Sequence, residues 1–206
     1  MKVERFINSI FTSNSYIVYF EEVDSVYVVD PGDSIPILNW IMENNKFLKG
    51  ILITHSHFDH IYGINDLCAA FPNVEIFASK HAKEGMLSAK LNRSYYAEIP
   101  FVVKCSNINV LEECDKVLLL ENIFVNVINT PGHNNDCISF QIGKHLFTGD
   151  ALIPGIKVYT KSKYGNKIHA ENSIQKLITK FDDDTMIWPG HDSNCSLGEL
   201  KQNLIY

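Results

Sequence analysis

Four side chains that commonly bind metal ions lie within six consecutive positions of the sequence. The stretch ITHSHFDH, residues 53–60, contains His55, His57, Asp59 and His60 and overlaps the end of the apolar run GILI. In an extended segment residues i and i+2 share one face, so His55 and His57 can bind the same ion. Asp59 and His60 follow where the predicted strand ends, and they can point to a second ion. Zinc binds imidazole nitrogen and carboxylate oxygen, usually through four ligands, so the cluster predicts part of a metal site.

Three further candidate ligands come directly after predicted strands. His133 follows VINTPG, Asp150 follows LFTG and His191 follows MIWPG. Loops held by a rigid sheet commonly carry binding and catalytic side chains. A single histidine after Pro-Gly is more often a turn residue than a ligand. The three positions together with the histidine cluster predict that these residues complete the metal site.

Strands and helices are predicted to alternate around these motifs. β-Branched and aromatic residues predict a strand hairpin at 14–20 and 25–30. The other predicted strands are GILI, VEIFA, KVLLL, IFVNVINT, CISFQIG, KHLFTGD and TMIWPG. The predicted helices are 34–46, 61–71, 79–92, 170–181 and 197–206, with Ser34 and Ser79 as caps of the first and third. Residues 92–113 are predicted to be irregular, with one short strand near 100–103.

Length and composition predict one soluble globular domain spanning residues 1–206. The chain has 206 residues, of which 46% are hydrophobic. Strand runs followed by helices, twice over, predict two sheets packed together with helices outside. No stretch of the sequence approaches the ~20 apolar residues of a membrane span, and MKVERFINSI lacks the features of a signal peptide. We therefore expect a cytoplasmic protein without a membrane partner.

Charge and cysteine content argue against two other classes of protein. The formal net charge is −6, whereas binding to nucleic acid depends on cations that meet phosphates. No nucleic-acid partner is therefore expected. The five cysteines are odd in number, scattered, and include no C-x-x-C pair. They predict reduced thiols rather than a disulfide framework or a structural zinc site.

The motifs THSHFDH, TPGH, FTGD and PGH, in this order, resemble the metallo-β-lactamase superfamily. The resemblance covers nearly the whole chain. It implies an α+β fold, the αββα sandwich, in which two mixed β-sheets pack face to face with helices on the outer faces. It also implies two metal sites. The implied ligands are His55, His57 and His133 for one ion, Asp59, His60 and His191 for the other, and Asp150 as a bridge between the two.

The bridging carboxylate makes the chain similar to glyoxalase II-like enzymes, and this similarity implies hydrolysis. Two cations that share a water lower its pKa from about 15.7 toward neutrality, so that hydroxide is present at pH 7. We predict a hydrolase that uses two zinc ions, with iron or manganese as alternatives, to cleave a thioester or other ester-like bond. Asp59 is the predicted catalytic residue, because its second oxygen can hold the water or take its proton. Asp30 is the first candidate for orienting a ligating histidine, because the resemblance places that strand end beneath the site, and Thr54, Ser56 and Asp192 are further candidates.

The segment after Asp150 is predicted to bind a small anionic substrate. It reads ALIPGIKVYTKSKYGNK, where related proteins commonly have Gly-Arg-Thr-Asp, and it concentrates lysines in an acidic protein. Lys157, Tyr159 and Lys161 are the candidate substrate-binding residues.

Two alternative functions remain open at this stage. One is a mononuclear-iron persulfide dioxygenase, because two histidines and a carboxylate (His55, His133 and Asp150) suit non-haem iron. The other is a lactone hydrolase. The remaining histidines, His81, His145 and His169, match no motif and are expected to be surface or packing residues. Oligomeric state remains unknown.

Overall fold

The computed structural model describes residues 1–202, and the chain divides into two compact units. The first unit comprises residues 1–110. Its sheet has the order β1-β2-β3-β4-β5-β6, and the last strand ends at the unit boundary. The elements are β1 (Lys2–Ile7), β2 (Asn14–Tyr19), β3 (Ser25–Val29), α1 (Ser34–Glu43), β4 (Phe47–Leu52), α2 (Ile64–Ala70), β5 (Glu75–Ser79), α3 (Lys80–Met86) and β6 (Ile108–Leu111).

The second unit, from Leu111 onward, also contains a six-stranded mixed sheet, with the order β12-β11-β10-β9-β8-β7. Its elements are β7 (Lys116–Leu120), β8 (Ile123–Asn129), β9 (Ile138–Ile142), β10 (His145–Gly149), α4 (Lys167–Lys180), β11 (Met186–Pro189), β12 (Cys195–Ser196) and α5 (Leu197–Gln202). That residues 1–206 form a single domain stays a prediction. Within residues 1–202, no helix is long and apolar enough to cross a membrane.

Parallel pairing brings the candidate functional loops of the first unit to one edge of its sheet. β3 pairs in parallel with β4, with Val29 opposite Leu52, and β4 pairs in parallel with β5. The carboxyl ends of parallel strands therefore meet at the same edge, where ligands commonly bind in α/β sheets. The backbone N–H of Asp30 donates to the Leu52 carbonyl at 3.0 Å. This pairing carries Asp30 to the start of the histidine cluster.

Each unit has an apolar cluster that holds its helices on its sheet. In the first unit, Ile37 and Ile41 lie one turn apart on α1 and are fully buried in the same cluster as Ile17 of β2. In the second unit, Leu177 of α4 is buried with Leu146 of β10. Burying one such side chain contributes about 1.5–3 kcal/mol, so these contacts fix the strands from which the ligand loops start.

Most of the predicted elements are present, with differences at their ends. The predicted strand near 100–103 is wrong: no strand forms there, and β6 begins only at Ile108. Ser34 is the first residue of α1 rather than its cap, because Asp33 takes the cap position. The cap at Ser79 is confirmed, since its side chain accepts from the Ala82 N–H. The last four residues of the predicted terminal helix lie outside the described part of the chain.

The prediction that all cysteines are reduced thiols is wrong for one pair. Cys68 of α2 and Cys105 form a disulfide, whereas Cys114, Cys137 and Cys195 are not disulfide-bonded. The two bonded cysteines are 37 residues apart in sequence. Such a distant pair leaves no recognisable spacing, which is why the sequence did not indicate it.

Reduction of this disulfide is expected to destabilise the first unit. Cross-linking a loop of this length contributes about 3–4 kcal/mol in the chain-entropy account, because it restricts the unfolded chain. Denaturant unfolding with and without a dithiol reductant measures the difference. The Cys68→Ser/Cys105→Ser variant is the control, because the reductant should leave its unfolding midpoint unchanged. A wild-type midpoint that does not respond to reductant would contradict the prediction.

Candidate metal centre

The histidine cluster of the first unit is a buried loop that follows β4. His55 and His60 are fully buried, and His57 and Asp59 are only 5% and 6% exposed. The ring centroid of His55 lies 4.7 Å from that of His57 and 4.3 Å from that of His60. Imidazole rings so close together in a protein interior are typical of side chains that converge on a common ligand.

Asp30 lies at the base of this loop, where it contacts Thr54. Its Oδ1 accepts from the Thr54 N–H at 2.8 Å, and its Oδ2 accepts from the Thr54 hydroxyl at 2.5 Å. The same Oδ2 is 3.3 Å from Nδ1 of His60. On the other side of this ring, Nε2 of His60 is 3.3 Å from Oδ2 of Asp59. One carboxylate therefore faces each nitrogen of His60.

Asp33 ties the loop after β1 to the turn that follows β3. It accepts hydrogen bonds from the Ser9 N–H at 2.7 Å, the Ser9 hydroxyl at 2.8 Å and the Tyr62 hydroxyl at 2.6 Å. Burial works against ionisation of this carboxyl, but the bonds from Tyr62 and Ser9 outweigh it and hold the pKa of Asp33 below its ordinary value. Burial, together with Asp33, raises the pKa of Tyr62 to about 12. At neutral pH the ionised carboxylate of Asp33 therefore accepts a hydrogen bond from the neutral phenol of Tyr62.

The second unit brings His133, Asp150 and His191 together. Nε2 of His133 is 3.4 Å from Oδ2 of Asp150, and Nε2 of His191 is 3.6 Å from its Oδ1. Nδ1 of His133 lies 2.9 Å from the Tyr159 carbonyl. A carbonyl only accepts, so Nδ1 must carry a proton, while Nε2 is the nitrogen that faces Asp150.

Glycine turns explain how these three side chains reach one place. Gly132, just before His133, has φ +144°, and a Cβ there would lie 2.3 Å from the Ala170 Cα. Only glycine allows this conformation and this approach to α4. The Gly190 N–H donates to the Gly149 carbonyl at 2.8 Å, which joins the two turns that carry His191 and Asp150.

The donor set of these side chains fits a divalent metal ion. Within the first unit, Asp30, His55 and His60 form a group whose candidate ligand atoms lie within 4.8 Å of one another, which is close enough to hold a metal ion. Both oxygens of Asp30 accept hydrogen bonds from Thr54, and its Oδ2 also faces Nδ1 of His60.

The other predicted residues have more varied surroundings. Lys157, Tyr159 and Lys161 are exposed on the segment after Asp150, and Tyr159 contacts His133 through its carbonyl. Ser56 is buried, and Asp192 accepts from the N–H of Ser193. His81 and His169 are exposed, whereas His145 is half-buried, accepts from the Trp188 indole at 2.9 Å and has a pKa lowered by burial.

Sequence reasoning missed a group of buried polar residues around the β1–β2 connection. Asn8, Ser13 and Ser15 are 2%, 0% and 0% exposed. Ser13 donates to the Asp59 carbonyl at 2.6 Å, and Ser15 donates to the Asp30 carbonyl at 2.7 Å. The polar run TSNS, which leads into the apolar strand β2, was the available signal for the two serines.

Comparison with known proteins identifies the class to which this fold and these side chains belong. The family model described as "Metallo-beta-lactamase superfamily" matches residues 9–191. The chain therefore belongs to the metallo-β-lactamase superfamily. It is 32% identical over 145 residues to a hydroxyacylglutathione hydrolase of Enterobacter sp. (strain 638), a match that covers 70% of this chain and 49% of that protein. The chain thus spans about half the length of this curated relative.

Solved structures confirm the predicted fold class. The BLEG-1 B3 metallo-β-lactamase superposes with a TM-score of 0.87 and 22% identity, covering 98% of both chains. A di-iron-bound form of TTHA1623 gives a TM-score of 0.80 and 23% identity over 97% of this chain and 98% of that one. The chain has the α+β fold of the superfamily, the αββα sandwich, as the motifs implied.

Proposed function

We propose that the protein is a metal-dependent hydrolase that cleaves a thioester, or another ester-like bond, of a small anionic substrate. The observation that carries the proposal is Asp150, whose two carboxylate oxygens face Nε2 of His133 and Nε2 of His191 at 3.4 and 3.6 Å. A carboxylate between two imidazoles is the arrangement expected of a ligand that bridges two ions. The name of the Enterobacter relative, hydroxyacylglutathione hydrolase, supports a thioester as the substrate class.

The proposed site holds two divalent ions, and zinc suits a ligand set of imidazoles and carboxylates. The proposed ligands are His55, His57 and His133 for the first ion, Asp59, His60 and His191 for the second, and Asp150 for both. Ions bound there would supply hydroxide at neutral pH and stabilise the negative charge that develops on a carbonyl oxygen.

Asp59, the Tyr159 carbonyl and Asp30 have separate proposed roles at this site. Asp59 Oδ accepts the proton of the attacking water, because a carboxylate can serve as a general base. The Tyr159 carbonyl holds the proton of His133 on Nδ1 and so directs Nε2 inward. Asp30, fixed by two hydrogen bonds from Thr54, faces Nδ1 of His60 and orients that ring. Both contacts keep the histidines in the conformation that the site needs.

Lys157, Tyr159 and Lys161 are the proposed substrate-binding residues, since they are exposed on the segment that contacts His133. The Lys157→Ala/Lys161→Ala variant is expected to raise KM for an anionic thioester by about 3- to 10-fold, because it removes two exposed charges and each exposed ion pair contributes about 0.2–1 kcal/mol. Its kcat should change little. The Lys116→Ala/Lys180→Ala variant removes the same charge from exposed positions outside this segment and is the matched control. An unchanged KM in the first variant would remove the substrate-binding role.

Iron chemistry is the second candidate, and the di-iron-bound form of the structural neighbour TTHA1623 favours testing it. His55, His133 and Asp150 supply the two histidines and one carboxylate that a mononuclear-iron persulfide dioxygenase would use. Lactone hydrolysis is a third candidate, because it requires the same ions but a different substrate pocket.

A substrate panel separates these functions. Protein loaded with zinc and protein loaded with iron are each assayed with glutathione thioesters, lactones and persulfides. The proposal predicts thioester hydrolysis by the zinc-loaded protein and its loss after chelation. Oxygen uptake with persulfide, without thioester hydrolysis in either form, would replace the hydrolase by the dioxygenase.

We also propose a small-molecule substrate, no nucleic-acid or membrane partner, and a cytoplasmic location. The net charge of −6 supports the absence of a nucleic-acid partner. A cytoplasmic location requires the Cys68–Cys105 disulfide to persist in a reducing compartment, whereas most disulfides are found in oxidising ones. Cell fractionation tests the location directly.

A further inference from the structure

A buried polar network links the β1–β2 connection to the histidine cluster. Nδ2 of Asn8 donates to the hydroxyls of Ser13 and Ser15, each at 3.0 Å. All three residues belong to the first unit and are almost fully buried. Since a buried polar group is costly unless it is hydrogen-bonded, three such groups in contact indicate a structure with a defined role.

The donors and acceptors of this network can be assigned by counting its protons. The amide of Asn8 has two N–H groups, and each occupies a lone pair of one serine oxygen. Each hydroxyl has only one proton left to donate. Ser13 gives it to the Asp59 carbonyl at 2.6 Å, and Ser15 gives it to the Asp30 carbonyl at 2.7 Å rather than to Oδ1 of Asn8 at 3.1 Å. The Asn8 amide thereby fixes the orientation of both hydroxyls.

The two carbonyls belong to the two aspartates that flank His60. Oδ2 of Asp30 is 3.3 Å from Nδ1 of that ring, and Oδ2 of Asp59 is 3.3 Å from its Nε2. Asp30 also has φ 49°, a conformation uncommon in a residue other than glycine, so its backbone needs external support. The hydrogen bond from Ser15 provides part of that support.

Asn8 itself is held from several sides. Its Oδ1 accepts from the Asp33 N–H at 2.9 Å, and its own N–H donates to the Ser13 carbonyl at 2.8 Å. A Cβ on Gly32 would lie 2.3 Å from Cγ of Asn8, so this glycine is required for the amide to fit. Ser15 also accepts from the Gly32 N–H at 2.8 Å. These contacts hold the Asn8 amide in one position, from which it acts on both aspartates through the two serines.

We propose that Asn8 is a positioning residue of the metal centre, acting through Ser13 on Asp59 and through Ser15 on Asp30. The two aspartates then hold His60 from opposite sides. The inference rests on the proposed function, in which Asp59 and His60 bind the second ion. It assigns to three residues outside the metal-binding motifs the task of setting the geometry of that ion's ligands.

The first test uses the metal-free chain of 206 residues, so it does not depend on the proposed function. The ring ¹⁵N resonances of all histidines are compared by NMR between the wild type and the Ser13→Ala and Ser15→Ala variants. We expect the His60 resonances to move in both variants and those of His191 to stay in place. Unchanged His60 resonances would overturn the proposal.

The second test titrates the metal-depleted protein with Co²⁺ and follows its visible absorption. Ser13→Ala is expected to weaken one of two binding events by about 10-fold, the lower end of the effect of residues that orient ligands, and to leave the other within about 2-fold. Asn8→Ala should have at least the same effect, and adding Ser13→Ala to it should weaken binding little further, because both variants interrupt the same path.

Ser34→Ala is the matched control, because Ser34 is also a buried serine of the first unit but donates to Asp66 on α2. It should leave both Co²⁺ affinities unchanged even if it lowers the unfolding temperature. Equal weakening of both binding events in Ser13→Ala, in proportion to lost thermal stability, would indicate a purely structural role and overturn the proposal. If the wild type binds no Co²⁺ while the His60 resonances respond as expected, the proposed function fails and the positioning of His60 stands.

Discussion

Asp59→Asn is expected to lower kcat by about 10³-fold while most of the bound metal remains. General acid–base catalysis contributes about 10²- to 10⁴-fold, and the amide of asparagine cannot take the proton that a carboxylate takes. Asparagine has the same size and keeps one oxygen that can coordinate an ion. Steady-state kinetics on a thioester, with metal content measured on the same samples, tests this expectation.

Asp66→Asn is the control for this variant. Asp66 is an exposed carboxylate on α2 that accepts from the Ser34 hydroxyl at 2.6 Å. It lies outside the groups of side chains that can hold a metal, so its variant should keep wild-type turnover. If Asp59→Asn retained wild-type kcat, Asp59 would have no role in proton transfer.

Asp150→Ala is expected to reduce the metal content from about two ions per chain to about one or fewer. It should lower kcat/KM by about 10³-fold or more, because the proposed site would lose both a ligand and one of the two metal ions that would stabilise the developing charge. The physical reason is that this one carboxylate faces both His133 and His191. Mass spectrometry of the dialysed protein gives the metal content.

The Asp184→Ala variant provides the comparison in the same unit. Asp184 is exposed and pairs with Lys144, so removing it should leave the metal content and the kinetics unchanged. Two ions retained in Asp150→Ala would contradict a bridging role and would favour independent ions or other ligands.

The candidate ligands could be predicted from the sequence because each lies in a short motif at a strand end. His133 and His191 follow Pro-Gly turns, and Asp150 follows a glycine, so a local pattern marks each position. Strands such as β8 and β9 were also predictable, because their β-branched residues give a strong local signal. Sites and elements whose residues are close together in the sequence can therefore be predicted from local patterns.

Features that depend on distant residues were not predictable. The Cys68–Cys105 disulfide joins α2 to the segment before β6, and neither cysteine lies in a recognisable spacing. The contacts of Ser13 with Asp59 and of Ser15 with Asp30 link residues 46 and 15 positions apart. A buried serine has the same local signal as a loop serine, so only the fold distinguishes the two.

The errors at helix ends have a local cause. α1 ends at Glu43 rather than near Lys46, because Asn45 has φ 51°, a left-handed conformation that no helix continues. Asparagine adopts the left-handed conformation more readily than most residues. The pair Asn44-Asn45 was therefore an available signal for the end of the helix. β1 was missed because three of the six residues of KVERFI are charged and do not alternate regularly with the apolar ones, and the strand lies at an edge of the sheet, where burial is weak.

Stepwise return of zinc to the metal-depleted protein, with thioester hydrolysis measured at each step, tests the central claim most directly. Two ions acting on one bond predict that activity rises until about two equivalents have bound and then stays constant. Activity that is complete at one equivalent would contradict the two-ion site. A fully loaded protein that hydrolyses no thioester would contradict the proposed reaction.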